Sequence, residues 1–263
     1  SKSTSASMLK KYLTCPLDFY FRYVMDFGDE ENVEEEIEQS TFGTFIHNTL
    51  EELYLPFARF TKEGEKVSPA PTNITSIDVE KMLGEYKLVL HRHFMEHFNG
   101  DKDAFMKGKN FLSYKMALEL TKRFLKSEVE FLSQQSEPVF IEALERGYET
   151  EIEVEVYGEK KKVKLRGFID RIDRIGDHKI RIIDYKSGKV IDDEVKFRSQ
   201  GKLSEEETIQ LSIEKKKHVL QLIQYAYLYY KEHGDIPESS IISFVSGKYK
   251  PFTLNTGKLD YKS

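Results

Sequence analysis

Residues 148–188 read YETEIEVEVYGEKKKVKLRGFIDRIDRIGDHKIRIIDYKSG, and apolar and polar side chains alternate along most of this stretch. Alternation with a period of two residues is typical of β-strands. Turn signals at Tyr157-Gly158-Glu159 and Gly176-Asp177-His178 divide the stretch into three parts. The sequence therefore predicts a meander of three antiparallel strands.

Helical patterns lie on both sides of this meander. Before it, we expect two short helices within residues 5–24, broken at Pro16, and further helices at residues 42–54, 77–99 and 104–133. After it come a charged loop from Asp192 to Lys217, a helix in HVLQLIQYAYLYYKEHG and a strand in SIISFVSG. The sequence thus predicts an α/β (α+β) fold with a mixed sheet flanked by helices and a helical N-terminal portion.

Composition and charge narrow the possible functions. The chain has 263 residues, of which 39% are hydrophobic, enough for a large core. A formal net charge of -5 argues against a broadly basic nucleic-acid binder, so any nucleic-acid contact must be local. No apolar run approaches the roughly 20 residues that span a bilayer, and SKSTSASMLKKYL lacks the apolar core of a secretory signal. We therefore expect a cytoplasmic protein without membrane contact and, because the sequence starts without methionine, a domain excised from a larger protein.

Cys15 is the single cysteine of the chain. One cysteine excludes an internal disulfide and any zinc or iron-sulfur site built from several cysteines of this chain alone. We expect a reducing compartment and a buried core thiol at this position.

The register of the last hairpin brings charged residues together. If its turn is centred on Asp177, Asp173 faces Arg181 and Asp170 faces Asp184. The first pair is complementary, whereas two carboxylates directly opposite each other destabilise a sheet. Something should therefore compensate the second pair.

Asp184 and Lys186 should share one face of their strand, because alternate residues of a strand point the same way. One explanation for the facing carboxylates is that one is protonated, or that Lys186 and Arg171 neutralise them in a structural network. The other is a divalent cation such as Mg²⁺, which binds one or two carboxylates together with water and phosphate oxygens. A lysine beside such a cation suits phosphate chemistry.

Two helices carry polar residues one turn apart. His47 should reach over Gly43, where no side chain leaves the space for a ligand obstructed. The alternative interpretation is a boundary histidine bonded to a neighbouring carbonyl. Gln221 and Tyr225 form a similar pair on the later helix, although such residues are also typical of the wet edge of a helix packed on a sheet.

Five motifs follow one another along the chain: CPLDFYFRY, FGTFIH, GFIDRID, IIDYKSG and LQLIQYAYLYY. In this order they resemble the PD-(D/E)XK nuclease superfamily, specifically its RecB-like group and most closely the C-terminal nuclease domain of AddB-type helicase-nuclease subunits. The resemblance covers most of the chain and implies a restriction-endonuclease-like core. It implies a single nuclease domain over residues 1–263, with a mainly helical part at 1–135 carrying the G-x-x-x-H motif and an α/β catalytic core at 136–263.

The resemblance also implies a metal-dependent DNA nuclease, expected to be an exonuclease, that uses Mg²⁺ or Mn²⁺. Matching positions carry the family's roles onto this chain. They are Asp170, Asp184, Lys186 and His47 as catalytic residues; His47, Asp170, Asp184 and the backbone carbonyl of Tyr185 as metal ligands; and Gln221, Tyr225 and Gly43 for positioning DNA and the active site.

Partners and cofactors follow from the same resemblance. It implies DNA as substrate and an AddA-type helicase-nuclease subunit as partner in DNA repair and recombination. Many relatives hold a four-iron cluster with one cysteine in the CP segment and three near the C-terminus, whereas this chain has only Cys15, so we predict no iron-sulfur cluster in this chain. The alternatives are a non-catalytic DNA-binding or scaffolding module of the same fold, and a stand-alone nuclease of the CRISPR-adaptation type.

Overall fold

Six strands form one mixed sheet in the computed structural model, which describes residues 3–26, 37–67, 71–195, 216, 218–246 and 252–253. The strands are β1 Ala58–Phe60, β2 Val139–Val156, β3 Glu159–Ile175, β4 Lys179–Lys186, β5 Glu238–Ser243 and β6 Phe252–Thr253. They follow one another across the sheet in chain order. The β1–β2 and β4–β5 pairs are parallel and the other pairs are antiparallel, which confirms the predicted mixed sheet.

The helices of the described residues agree with the sequence pattern. They are α1 Ala6–Thr14, α2 Pro16–Phe19, α3 Gln39–Tyr54, α4 Ser76–His97, α5 Asp103–Met106, α6 Gly108–Ser133 and α7 Val219–His233. The helix predicted over 104–133 is divided in two, because Gly108 has a φ of +61° that no regular helix accommodates. Of the charged loop predicted over 192–217, residues 196–215 and 217 lie outside the described residues. None of the described helices combines the length and the apolar character that crossing a bilayer requires.

The predicted meander is formed by β2, β3 and β4. Its first turn places Tyr157 and Gly158 at φ values of +53° and +80°, the conformation that suits a two-residue hairpin. In the second hairpin Asp173 lies opposite Arg181, as the register predicted. That ladder ends at residues 171 and 183, one position before the two aspartates expected to face each other.

Helices cover both faces of the sheet. Residues of α3, α4 and α6 form the largest hydrophobic cluster with β-strand residues such as Ile183 and Ile242. A second cluster joins Ile172 and Ile182 to Leu228 of α7. The α3 helix therefore approaches the sheet from one side and α7 from the other.

A buried ionic network attaches α6 to the sheet. The Arg171 guanidinium donates hydrogen bonds to Glu128 of α6 and to Asp173, both at 2.7 Å, and Arg181 donates to Asp173 at 2.6 Å. Two positive and two negative charges balance each other there, which is what makes their burial tolerable. Because Arg171 is engaged in this network, it does not neutralise Asp170 or Asp184, and that part of the structural alternative is wrong.

Cys15 is exposed, so the prediction of a buried core thiol is wrong. The residue lies between α1 and α2, where Pro16 starts a new short helix at the surface. Its neighbours Leu13 and Leu17 are exposed as well. The helical spacing of apolar residues in this segment therefore does not produce a buried stripe among the described residues.

Candidate active site

Three ionisable side chains converge at the position where β3 and β4 stop pairing. His47 comes from α3, Glu145 from β2 and Asp170 from β3, and one ligand atom of each lies within 4.8 Å of the others. The His47 Nδ1 is 3.6 Å from Oδ2 of Asp170 and 4.0 Å from Oε1 of Glu145. We call these three residues the acid–histidine cluster. Two carboxylates and an imidazole form a donor set that divalent cations accept.

Glu145 was not identified from the sequence. Residues 144 and 146 pair with 171 and 169, so Glu145 and Asp170 face each other across β2 and β3. The φ of Glu145 is +47°, a left-handed conformation that is uncommon for residues other than glycine and is typical of functional positions. The acidic residues of β2 give no local reason to choose this one. The register of the Tyr157-Gly158 hairpin was the signal that would have placed it opposite Asp170.

A second group surrounds Asp184, which is only 1% exposed. Its Oδ1 accepts a hydrogen bond from Nε2 of Gln221 at 3.0 Å, and the same amide nitrogen donates to the hydroxyl of Tyr225 at 2.8 Å. The Lys186 Nζ lies 2.7 Å from Oδ2 of Asp184, so the two charges are neighbours, as their shared face predicted. Nevertheless, no polar atom of the described residues meets Oδ2 in hydrogen-bond geometry.

The backbone of Tyr185 connects the two groups. Its N–H donates to Oδ2 of Asp170 at 2.7 Å, and its carbonyl oxygen lies 3.2 Å from Nε2 of His47. The Tyr185 ring is buried and stacks on Phe244 with 5.5 Å between ring centroids. The packed ring thus holds a carbonyl oxygen against the acid–histidine cluster.

The electrostatics of the site show an excess of buried negative charge. Burial, together with the charge of Asp184, raises the pKa of Asp170 to about 7. Burial also raises the pKa of Asp184, although Lys186 opposes this effect. Burial alone would lower the pKa of His47, but interaction with Glu145 and the charge of Asp170 outweigh it and raise the pKa.

These observations satisfy the requirements of a divalent cation. Oδ2 of Asp184 is a buried carboxylate oxygen whose hydrogen-bonding capacity is unused, and burying such a group without a partner is costly. Hard oxygen ligands and one imidazole are what Mg²⁺ or Mn²⁺ would meet. A cation would also relieve the repulsion that raises the pKa of Asp170.

Gly43 acts through close packing. A Cβ atom at this position would lie 3.1 Å from Oγ of Ser187, in the turn that follows β4. The space expected above Gly43 is therefore partly taken by Ser187. The glycine lets α3 approach the end of β4 and so brings His47, one turn later, to the cluster, and both residues line a cavity of about 420 Å³.

The fold and this site can be compared with known proteins. The sequence profile of the PD-(D/E)XK nuclease superfamily matches residues 3–248. The chain belongs to the PD-(D/E)XK nuclease superfamily. The resemblance inferred from the five motifs is thereby confirmed, and the mixed sheet flanked by helices is consistent with the restriction-endonuclease-like fold.

The superfamily member is similar to three curated proteins, each named as one subunit of an ATP-dependent helicase/deoxyribonuclease. The protein of Clostridioides difficile (strain 630) is 30% identical over 199 residues, which cover 72% of this chain and 16% of that protein. The protein of Clostridium acetobutylicum is 28% identical over 202 residues, which cover 73% of this chain and 16% of the relative. The protein of Clostridium tetani is 30% identical over 199 residues, with 70% and 15% covered. The chain thus spans a small part of these relatives.

Proposed function

We propose that this chain is a divalent-cation-dependent nuclease that hydrolyses phosphodiester bonds of DNA. The observation that carries the proposal is the proximity of buried carboxylates with raised pKa values to Lys186. Perturbed carboxylates grouped around a cavity are typical of catalytic sites. Membership in the nuclease superfamily and the deoxyribonuclease name of the relatives support the same function.

The proposed cation ligands are His47, Asp170, Asp184 and the carbonyl oxygen of Tyr185. Glu145 lies close enough to His47 and Asp170 to join them. When bound, Mg²⁺ or Mn²⁺ supplies Lewis-acid stabilisation for the negative charge that develops on the phosphate oxygens.

The proposed role of Lys186 is to add positive charge at the same place. Asp184 holds its ammonium group at 2.7 Å, and the side chain lines the cavity of the acid–histidine cluster. An ammonium fixed in position before the reaction stabilises developing charge without reorganisation. Gln221 orients Asp184, and Tyr225, whose pKa is raised by burial, stays neutral and accepts from Gln221.

We further propose that the chain acts as an exonuclease within a cytoplasmic helicase–nuclease complex, with an AddA-type subunit as partner, in DNA repair and recombination. The support for this context is the name of the relatives, which joins an ATP-dependent helicase to a deoxyribonuclease. A single domain at 1–263, with helical and α/β parts meeting near residue 135, remains part of this proposal.

Cleavage of end-labelled linear DNA by the purified chain tests the nuclease function. We expect cleavage with Mg²⁺ or Mn²⁺ and none in chelator. Lys186→Ala should lower the rate by about 10²–10³, the effect of removing one preorganised group that stabilises charge. Lys179→Ala is the matched control, since Lys179 lies on the same strand in a surface pair with Glu238.

Two outcomes would contradict the proposal. Cleavage that persists in chelator, or equally in Lys186→Ala, would mean that the reaction does not use this site. DNA binding without any cleavage by the wild-type chain would support the non-catalytic module. Titration calorimetry with Mn²⁺ provides a readout apart from activity, because Lys186→Ala should still bind the cation whereas Asp184→Ala should not.

A further inference from the structure

A groove of about 690 Å³ adjoins the proposed active site. It lies among α1, β3, the segment after β4 and the beginning of α7, and shares Lys186 with the cavity of the acid–histidine cluster. Of the described residues that line it, four are lysine or arginine and none is aspartate or glutamate. In a chain with a net charge of -5, this is a local basic surface.

Two of these cations have no partner among the described residues. The guanidinium of Arg166 and the ammonium of Lys189 make neither a hydrogen bond nor an ion pair within that part of the chain. The lysines of the β2–β3 hairpin differ, because Lys160 and Lys164 pair with glutamates of the facing strand. Unpaired cations beside a phosphodiesterase site are suited to neutralising the phosphates of a nucleic-acid backbone.

Phe168 offers a flat apolar surface in the same groove. The residue is 59% exposed, although it lies in the middle of β3 between Arg166 and Asp170. Its ring lies over Gly147 of β2, where a Cβ atom would come within 3.0 Å of the ring. The backbone of Gly147 therefore supports one side of the ring, and solvent reaches the side chain from elsewhere.

The order of residues along β3 leads from this surface to the cluster. Arg166, Phe168 and Asp170 are alternate residues of one strand, so each is about 7 Å from the next. A strand of nucleic acid lying along the groove would meet a cation, then a ring and then the proposed cation ligand.

Resting on the nuclease function proposed above, we propose that this groove binds a single strand of nucleic acid. One base stacks on Phe168, and Arg166 and Lys189 contact the phosphates on the way to Lys186. A single strand fits better than a duplex, because stacking on a side chain requires the face of an unpaired base, whereas a duplex presents base edges.

The test measures binding without cleavage. Fluorescence anisotropy in chelator follows a labelled oligothymidylate of about 15 nucleotides and a duplex of the same length, a size that covers one such site. Phe168→Leu keeps an apolar side chain over Gly147 but removes the aromatic ring. It should weaken single-strand binding by about 5- to 100-fold, the effect of losing one stacked base, and leave duplex binding unchanged.

Arg166→Gln should weaken binding and reduce the slope of log affinity against log salt by about one. Matched controls are Tyr157→Leu, which removes an exposed ring at the tip of the β2–β3 hairpin, and Lys87→Gln, which removes an exposed cation from α4. Neither control should change binding.

The groove proposal is overturned if the wild-type chain does not bind the oligonucleotide, if Phe168→Leu binds it equally well, or if this variant loses single-strand and duplex affinity to the same extent. The nuclease proposal fails separately, when no cation supports cleavage although binding depends on Phe168. If both are right, Phe168→Leu raises KM for a single-stranded substrate and leaves kcat unchanged.

Discussion

Replacing Asp170 with asparagine should stabilise the cation-free protein at neutral and alkaline pH. Asparagine has the same shape and keeps an acceptor for the N–H of Tyr185, but it removes a charge from beside Asp184 and Glu145. A carboxylate whose pKa is raised by folding makes the folded state less stable once it must ionise. The substitution therefore removes a cost that the proposed site tolerates for its function.

The magnitude follows from the pKa of Asp170, which burial and Asp184 raise from 3.8 to about 7. At about 1.4 kcal/mol for each pH unit, this difference corresponds to ~4 kcal/mol. Because an amide accepts a weaker hydrogen bond from Tyr185 than a carboxylate does, we expect a net gain of about 2–4 kcal/mol. The gain should be absent near pH 4, grow as pH rises and be complete above about pH 7.

Urea unfolding at pH 4, 6 and 8 in chelator measures this gain, and the melting temperature at pH 8 should rise by about 5–15 °C. Asp173→Asn is the matched control, since it makes the same change three residues away on β3. Burial would raise the pKa of Asp173, but Arg171 and Arg181 outweigh it and lower the pKa. Its replacement leaves those guanidiniums without their acceptor and should destabilise by about 3–5 kcal/mol.

Adding Mg²⁺ completes the experiment. At 100 times its dissociation constant, a cation stabilises the wild-type fold by about 2.7 kcal/mol, and Asp170→Asn should lose this effect. A variant no more stable than the wild type at pH 8, or equally stabilised at pH 4 and pH 8, would refute the reasoning that Asp170 ionises against burial and a neighbouring carboxylate.

Two further predictions concern packing and exposure. Gly167→Ala should destabilise by about 1–3 kcal/mol, because the new Cβ would lie 2.9 Å from the ring of Tyr225 and 3.0 Å from Leu228 of α7; an unchanged urea midpoint would contradict this packing. Cys15 is exposed, so a thiol reagent such as Ellman's should modify it in the native protein as completely as in the unfolded chain. A native protein that reacts only after unfolding would instead restore the buried thiol that the sequence suggested.

The strands and most helices were predictable because their signals act over a few residues. The hairpin at Tyr157-Gly158 requires positive φ at two positions, and the sequence supplies a glycine at one of them. The capping box of Thr75 and Asp78 starts α4, and Gly234, in the left-handed conformation, ends α7. The register of the second hairpin was correct for the same reason, because its turn residues fix which positions face each other.

The site was only partly predictable. Pairing Asp184 with Lys186 required nothing beyond strand alternation, and the family resemblance supplied His47 and Gln221. The role of Glu145 depends on the pairing of β2 with β3 and on a left-handed backbone that no local pattern announced. The contact of Gly43 with Ser187 joins residues more than a hundred positions apart.

The sequence by itself determined where the strands turn, which charges share a strand face and to which superfamily the chain belongs, because these properties depend on local chemistry and on motif order. Only the tertiary structure decided that Glu145 joins His47 and Asp170, that Arg171 is engaged by Glu128, and that a basic groove adjoins Lys186. These features come from elements distant in the chain. Their geometry is set when α3, α6 and α7 pack on the sheet, and packing depends on all the buried surfaces at once.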